Sequence, residues 1–290
     1  MAAYRLLQRL EGGFLICDGA YGTTLQAAGL PPGACPDLWT LERPDAVADA
    51  HRAFAAAGCD ILQTNTFAAG NRIAAAKSDL QERVAELIEA GVRLAREAAG
   101  ESGLVICTTA PTGQLLQPYG PLDPDEVREA FEEQAAAAAS AKPDGLLYES
   151  FFAVEEAEIA VRAAKATGLP VLATMTFEES GRTVMGASPE QAVAALEAAG
   201  ADVIGVNCSV GPAAMEPVAL AMRAATDRPV MAQPNAGMPQ LVQGRTVFPG
   251  TPGELADFAE HMVAAGVNIV GGCCGSTPEH MRAVVRRLRG

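Results

Sequence analysis

The sequence predicts one α/β domain built as a parallel (β/α)8 (TIM) barrel. Eight short apolar runs recur along the 290 residues, and each is followed by turn residues and then by a helix-length stretch, often rich in alanine. Regular alternation of strand and helix is typical of a parallel sheet, and eight such units close into a barrel of about 250 residues. No linker divides the chain, so we expect a single domain over residues 1–290.

The predicted strands are short apolar runs that end before Gly, Asn, Thr or Pro. They cover residues 14–17, 60–63, 104–108, 145–148, 170–174, 202–206, 229–232 and 268–270. The segments between them have helical length, and several begin with proline, which the first helical turn tolerates. They cover residues 45–57, 80–99, 124–141, 154–167, 189–199, 212–226, 252–265 and 278–288. Gly58, Gly200 and Gly266 follow alanine pairs and predict helix ends.

A doubly wound open sheet is the alternative fold, because it also alternates strands with helices. The segment DGAYGT at 18–23 follows the first strand, but it lacks the Gly-x-Gly-x-x-Gly spacing of a dinucleotide-binding turn. No acidic residue closes the second strand at the expected distance, which favours the barrel. Residues 233–253 form the longest irregular stretch, and we expect them to form a loop over the barrel mouth.

Composition excludes several classes of function. A net charge of -14 argues against a nucleic-acid partner, because phosphate binding needs clustered Lys and Arg. No apolar run is long enough to span a membrane, and the first residues mix charges at helical spacing without the apolar block of a signal peptide. We therefore expect a cytoplasmic protein whose seven cysteines are free thiols or metal ligands rather than a disulfide framework.

The adjacent cysteines in the run GGCCG at 271–275 are the most informative feature. A disulfide between neighbours is strained, and the flanking glycines allow both sulfurs to face one point. Two buried small apolar residues at a strand end are the alternative interpretation. Cys208, which follows the sixth strand at the same end of the barrel, adds a third thiol to Cys273 and Cys274. Three converging thiolates favour a soft metal, most often zinc.

Three protein ligands leave one position of a tetrahedral zinc open, which is typical of a catalytic site. With three thiolates the ion is a poor activator of water, but it can hold an incoming thiol as a nucleophilic thiolate. A free thiol has a pKa of about 8.5, and coordination expels its proton. The expected reaction is therefore displacement at carbon by a zinc-bound thiolate.

Two carboxylates, Asp18 and Glu149, also stand at strand ends. A zwitterionic amino acid needs an acceptor for its ammonium group, and Glu149 can provide it. The backbone N–H groups of Gly19, Ala20 and Tyr21 can donate to its carboxylate in a tight turn. The alternatives are a helix N-cap or turn role for Asp18 and an ion pair with a rim arginine for Glu149.

Four motifs together resemble the zinc-dependent homocysteine S-methyltransferase family: DGAYGT at 18–23, QTNTF at 63–67, GVNCS at 205–209 and GGCCG at 271–275. Three further segments look most like the homocysteine-binding module of cobalamin-dependent methionine synthase. They are PTG at 111–113, QPNAG at 233–237 and GSTPEH at 275–280. The resemblance spans essentially the whole chain.

The resemblance implies a (β/α)8 barrel and one Zn²⁺ per chain, held by Cys208, Cys273 and Cys274. It implies homocysteine bound through its sulfur to zinc and through its amino group to Glu149, and its conversion to methionine. Asn235, by its position, would fill the fourth zinc site when substrate is absent. The residues assigned to the substrate are Asp18, Gly19, Ala20, Asn65, Glu149 and Asn207, with Asp18 and Glu149 positioning the thiolate.

The methyl donor is expected to be a methyl-corrinoid such as methylcobalamin on a separate protein or module. No Asp-x-His-x-x-Gly corrinoid signature is present: DAHRAF at 49–54 copies its start but lacks the glycine. We therefore expect His51 to lie on the surface or in a groove of an amphipathic helix. The alternative is a small donor, namely S-methylmethionine, S-adenosylmethionine or betaine. Trp39 could cover such a methylated cation or anchor its loop on the barrel.

Two further hypotheses remain open from the sequence. The same chemistry could serve another thiol or a selenol. Alternatively, the barrel could be a non-enzymatic zinc-bearing subunit that assembles with a corrinoid protein or a reductase.

Overall fold

Eight parallel strands form one closed sheet in the computed structural model, which describes residues 4–242 and 245–290. The barrel strands are β1 Leu15–Ile16, β2 Ile61–Gln63, β3 Leu104–Thr109, β4 Gly145–Phe151, β5 Val171–Met175, β6 Val203–Asn207, β7 Val230–Gln233 and β10 Ile269–Val270. Their order is β1-β10-β7-β6-β5-β4-β3-β2. A parallel bridge from Cys17 to Ile61 joins the two ends, so the predicted (β/α)8 barrel is confirmed.

Helices surround the sheet, and all eight predicted ones are present within four residues of their expected ends. The helices are α1 Arg5–Glu11, α2 Tyr21–Ala27, α3 Trp39–Glu42, α4 Pro44–Ala57, α5 Arg72–Ala75, α6 Val84–Ala99, α7 Pro124–Ala141, α8 Val154–Lys165, α9 Pro189–Ala199, α10 Pro212–Ala224, α11 Pro252–Ala264 and α12 Pro278–Arg289. Six of them begin with proline. Gly58 and Gly200 end α4 and α9 in the left-handed conformation, with φ of 97° and 101°. The short helices α1, α2, α3 and α5 were not predicted.

The interior of the barrel is apolar in its amino-terminal half. Each strand contributes a buried side chain to one cluster, which comprises Leu15, Cys17, Ile61, Leu104, Ile106, Leu147, Leu172, Val203, Met231 and Ile269. Helix α1 closes this end of the barrel, because Leu6 and Leu10 are buried against the same cluster. The barrel is thus filled at its base, and a ligand can enter only from the carboxyl ends of the strands.

Aspartates at the starts of three strands fasten the amino-terminal end. Asp60, Asp144 and Asp202 each accept the backbone N–H of a residue on the neighbouring strand, at 2.8 Å. Each also pairs with cations. Asp144 meets Arg96 at 2.6 Å and Arg5 at 3.4 Å, and Asp202 meets Lys165 at 2.8 Å. These ion pairs bind the outer helices to the base of the sheet.

Two expectations need correction. The loop predicted over residues 233–253 contains an antiparallel hairpin, β8 Gln240–Val242 and β9 Arg245–Val247, whose Leu241 is 78% exposed. His51 is fully buried instead of lying at the surface, because α4 turns that face towards Tyr21. No helix in the part of the chain described here has the length and apolarity needed to cross a membrane.

Candidate metal centre and substrate pocket

Three cysteine sulfurs converge at the carboxyl ends of β6 and β10. The Sγ atoms of Cys208, Cys273 and Cys274 all lie within 4.8 Å of one another, and those of Cys208 and Cys274 are 3.8 Å apart. A tetrahedral zinc with sulfurs at about 2.3 Å separates its ligands by about 3.8 Å. The three side chains therefore fit a single zinc ion, as their sequence positions predict.

Local backbone geometry aims these sulfurs. Cys208 and Ser209 have φ of 61° and 63°, a left-handed conformation that non-glycine residues seldom adopt and that costs conformational energy. Main-chain bonds hold the turn: Cys208 N–H donates to Gln233 at 3.0 Å and Cys273 N–H to Pro234 at 2.7 Å. The loops after β6, β7 and β10 are thereby bound to one another.

Glycines flank the cysteine pair for two separate reasons. Gly272 is required by space, because a Cβ at this position would lie 2.3 Å from Ser276 Oγ. Gly275 is required by conformation as well, since its φ is 83° and a Cβ would meet Phe248 at 2.3 Å. The GGCCG motif therefore reflects a tight turn that presents both thiols to Cys208.

The three thiols share their protons unequally. Hydrogen bonds from Cys273 and Cys274 lower the pKa of Cys208 to about 3, so this sulfur is the first to become a thiolate. The same contact with Cys208 raises the pKa of Cys274 to about 12 and that of Cys273 far above its ordinary value. Once deprotonated, the three thiolates would repel one another, and a divalent cation between them would offset this repulsion. This is a second reason why the cluster fits a metal.

Two asparagines lie beside the sulfurs. Asn235 is buried, it helps to lower the pKa of Cys208, and its Oδ1 atom finds no hydrogen-bond partner within the described chain. This unpartnered oxygen is compatible with the predicted fourth-ligand role. Asn207 is fully buried and donates to Glu149 Oε2 at 2.9 Å, with Cys273 Sγ 3.9 Å from the same nitrogen. Asn207 thus connects the carboxylate with the cysteine cluster.

Glu149 lines the pocket at the end of β4 without a cationic partner in the described structure. Its Oε1 accepts the hydroxyl of Thr108 at 2.5 Å, and burial raises its pKa to about 7. The next residue, Ser150, has a φ of 66° and donates its N–H to Asn207 Oδ1 at 2.8 Å. The predicted alternative of an ion pair with a rim arginine is not found among the residues described.

Asp18 lies behind the pocket wall and has no exposed surface. Its Oδ2 accepts the hydroxyl of Tyr21 at 2.5 Å and the N–H of Gln63 at 2.8 Å, and both donors line the pocket. Burial raises the pKa of Asp18 to about 7. The side chain does not cap α2, whose N-cap residue is Ala20, so the predicted N-cap alternative is not found.

The turn at residues 19–21 forms one side of the pocket, but the predicted donor role of Ala20 needs correction, because its N–H is already used within the fold. Ala20 N–H donates to Ser276 at 3.2 Å, whereas no hydrogen bond occupies the N–H of Gly19 or Tyr21 within the described residues. The cavity between this turn, Glu149 and the cysteines measures about 260 Å³. It is large enough for a small amino acid and opens at the carboxyl ends of the strands.

Asn65 and Asp37 join two rim loops at the opposite wall. Asn65 donates to the carbonyl of Pro36 at 2.9 Å, and Asp37 accepts the N–H of Ala69 at 2.6 Å. Both side chains line the pocket although each is almost entirely buried. Asp37, Thr108 and Gln63 were not assigned to the site from the sequence. Gln63 and Thr108 stand at the ends of β2 and β3, which was the available signal, whereas Asp37 lies between α2 and α3, where no motif marks it.

Trp39 belongs to the packing between barrel and helices rather than to the pocket. Its side chain is buried in the main apolar cluster, and the guanidinium of Arg43 lies 5.0 Å from its ring centre. The ring is therefore already occupied by a cation of the chain itself. Of the two interpretations offered by the sequence, the loop anchor is the one consistent with this packing.

Comparison with known proteins identifies related sequences over almost the whole chain. The family pattern described as homocysteine S-methyltransferase matches residues 15–288. Methionine synthase of Mycobacterium tuberculosis is 33% identical over 96% of this chain, which corresponds to 25% of that protein. Betaine--homocysteine S-methyltransferase 1 of Danio rerio is 32% identical over 98% of this chain and 75% of its own length. The chain thus spans about a quarter of the mycobacterial methionine synthases it matches.

Among solved structures, the metallated homocysteine methyltransferase MmuM from Escherichia coli superposes with a TM-score of 0.80. The match covers 98% of this chain and 99% of that protein at 23% sequence identity. At this identity the likeness concerns the fold, and it agrees with the single (β/α)8 barrel described above.

Proposed function

The chain belongs to the homocysteine S-methyltransferase family, and we propose that it transfers a methyl group to the thiol of L-homocysteine, giving L-methionine. One observation carries the proposal: a cluster of three cysteines and a buried carboxylate, Glu149, which has no cationic partner among the described residues, line the same small pocket. A thiol-bearing amino acid offers a group to each of these features. We also propose that residues 1–290 act as one domain.

The cysteine cluster is the proposed site of one zinc ion, held by Cys208, Cys273 and Cys274. When bound, zinc lowers the pKa of the substrate thiol so that the sulfur is a thiolate nucleophile near neutral pH. Asn235 supports this assignment: it is close enough to Cys208 to lower the pKa of that thiol, and its buried Oδ1, which has no partner among the described residues, would be an oxygen donor when substrate is absent.

Glu149 is the proposed acceptor for the ammonium group of homocysteine. Its carboxylate is desolvated and has only neutral donors, Thr108 and Asn207, among its described partners. A substrate cation would compensate the cost of burying this charge and return the pKa of Glu149 towards its ordinary range. Asn207 keeps the carboxylate in register with the cysteine cluster, which fixes the distance between the amino and thiol ends of the substrate.

The turn at residues 19–21 is the proposed receptor for the substrate carboxylate. Gly19 and Tyr21 line the pocket, and their backbone N–H groups have no hydrogen-bond partner among the described residues, so both can donate to an anion. Ala20 contributes by binding the turn to the carbonyl of Ser276, and Asp18 contributes by accepting the hydroxyl of Tyr21 outside the pocket. Asn65 contributes through the wall that it forms with Pro36.

For the methyl donor we propose a methyl-corrinoid carried by a separate protein or module. Support comes from the carboxyl-terminal face of the barrel, where most of the exposed large apolar side chains of the described chain are found. They lie in loops after β2, β3, β5 and β7: Phe67, Tyr119, Val184, Met185, Met238, Leu241, Val242 and Val247. Exposed apolar side chains concentrated on one face favour a macromolecular partner over a small solute.

A small donor is the second candidate, because a relative named for betaine covers 98% of this chain at 32% identity. The cation–π argument for it is weakened by Trp39, whose ring carries Arg43. A small cationic donor would instead have to use other groups of the pocket.

The experiment is a parallel assay of the zinc-loaded protein with homocysteine and each donor. Methionine is measured with methylcobalamin, S-methylmethionine, S-adenosylmethionine and betaine, and cysteine is offered in place of homocysteine as a control acceptor. We expect turnover with methylcobalamin, increased further by a methyl-corrinoid protein, and none with cysteine. Faster turnover with a small donor would select the second candidate, and no methionine from any donor would contradict the proposed activity.

A further inference from the structure

A buried hydrogen-bonded chain runs behind the pocket turn, and the reaction proposed above does not by itself require it. The Nδ1 atom of His51 lies 2.7 Å from Tyr21 Oη, which lies 2.5 Å from Asp18 Oδ2. All three side chains are buried, and they come from three separate segments of the fold: α4, the start of α2 and the end of β1. Burying such polar groups costs free energy unless they form hydrogen bonds with one another.

The direction of the chain follows from the partners at its ends. Asp18 Oδ2 already accepts the N–H of Gln63, so the hydroxyl of Tyr21 donates to it as well. The oxygen of Tyr21 is then left to accept a proton from His51 Nδ1. Burial lowers the pKa of His51 to about 3, so the ring is neutral and carries a single N–H. That proton resides on Nδ1, which agrees with the buried Nε2 atom having no partner among the described groups.

The hydrogen-bonded side chains also pack closely, and this packing holds the turn at residues 19–21 in place. The ring of Tyr21 lies 4.6 Å from that of His51 and 5.4 Å from that of Phe54, centre to centre. A Cβ at Gly19 would lie 2.9 Å from Phe54 and 2.8 Å from the carbonyl of Ser276. The turn is thus confined between one face of α4 and the loop that carries Cys273 and Cys274.

We propose that Tyr21 and His51 are positioning residues that set the affinity of the site for the amino-acid end of its thiol substrate. The side chain of Tyr21 holds Asp18 in place and, through its own backbone, the turn at residues 19–21 that lines the pocket. His51 in turn holds the hydroxyl of Tyr21. The inference rests on the proposed function. It adds that homocysteine is distinguished from simple thiols by α4, an element that does not line the pocket.

The test compares two thiols on the zinc-loaded protein by calorimetry. L-Homocysteine carries the ammonium and carboxylate groups, whereas 2-mercaptoethanol has only the thiol. In Tyr21→Phe we expect about a tenfold higher Kd for homocysteine, an unchanged Kd for 2-mercaptoethanol and unchanged zinc content. In turnover the same variant raises KM for homocysteine and leaves kcat at saturation within about twofold.

Tyr148→Phe is the matched control. Tyr148 is another fully buried tyrosine, its hydroxyl is bonded to Gln134, and it lies outside the pocket. Its loss should lower stability without changing either Kd. If Tyr21→Phe binds homocysteine as the parent does, or changes both thiols equally, the positioning role is wrong. If the parent itself binds homocysteine no better than 2-mercaptoethanol, the proposed function fails instead.

A second pair of variants decides the question should Tyr21→Phe not fold. His51→Asn keeps an N–H donor near the place of Nδ1, whereas His51→Leu removes it. We expect His51→Leu to weaken homocysteine binding by about threefold or more relative to His51→Asn, again without an effect on 2-mercaptoethanol. Equal affinities of the two variants for homocysteine would overturn the assignment of His51.

Discussion

Carboxylates at the two ends of the barrel have opposite environments: those at the base are partly exposed, whereas those at the rim are buried. At the amino-terminal end, Asp60, Asp144 and Asp202 each pair with an arginine or a lysine and with a strand N–H. At the carboxyl end, Asp18 and Glu149 have only neutral donors within the described chain. At the base, cations of the protein compensate the charges of the aspartates. At the rim, the buried charges of Asp18 and Glu149 are left for a ligand to compensate.

Because of this difference, we expect the base of the barrel to determine stability and the rim to determine ligand binding. The base of the barrel is apolar and cross-linked by ion pairs, so substitutions there should change folding. The rim holds thiols, strained turns and uncompensated charge, so substitutions there should change binding.

The largest effect is expected from Cys273→Ala. Loss of one of three sulfurs removes the metal at ordinary zinc concentrations, and methyl transfer to homocysteine falls to background. Zinc content and methionine formation are measured on the same preparation. Cys107→Ala is the control: this thiol is fully buried in β3, so its loss should cost about 1 kcal/mol of stability but no zinc. Full activity of metal-free Cys273→Ala would contradict the zinc assignment.

The next largest effects are expected from one carboxylate variant at each end of the barrel, Glu149→Gln at the rim and Asp144→Asn at the base. The first keeps its shape but loses the charge for the substrate ammonium, so homocysteine affinity should fall by about 100-fold while stability is unchanged or higher. The second loses its pairing with Arg5 and Arg96, both partly exposed, and should cost about 1–2 kcal/mol without affecting homocysteine. Calorimetry and urea unfolding measure both quantities.

One outcome for these two variants would contradict the proposed difference between the ends of the barrel. Equal losses of stability in both variants, with parent-like homocysteine binding by Glu149→Gln, would mean that the rim carboxylate is a structural group like those at the base.

The fold was predictable because its pattern is local. Short apolar runs and proline-started helices identify all eight units, and the thiols at the ends of β6 and β10 meet because parallel strands end at one face. The hairpin of β8 and β9 was missed because its strands have three residues each and those of β8 are exposed, so no buried face marks them.

The site was predictable in its residue types more than in their orientation. Asp18 follows β1 as expected, yet its side chain turns behind Tyr21, which only the packing of α4 determines. His51 stands between the exposed Asp49 and Arg52 in an amphipathic helix, where a position on the surface or in a groove was expected. Its burial depends on a contact 30 residues away in sequence, which no local pattern encodes.

The smallest effect concerns Asp37, a third rim carboxylate without a cation among the described residues. Burial raises its pKa from 3.8 to about 7. Between these values the folded protein holds a proton that the unfolded chain has released, so this residue makes stability fall as the pH rises.

Asp37→Asn cannot titrate but can still accept the N–H of Ala69, so it should remove that decline. Its free energy of unfolding should gain about 2 kcal/mol on the parent between about pH 5.5 and 7.5, as urea unfolding at each pH would measure. Parallel pH profiles for the two proteins would mean that Asp37 is ionised in the fold without cost. Such a result would remove it from the group of rim carboxylates whose charge is left for a ligand, and the contrast between the barrel ends would then rest on Asp18 and Glu149 alone.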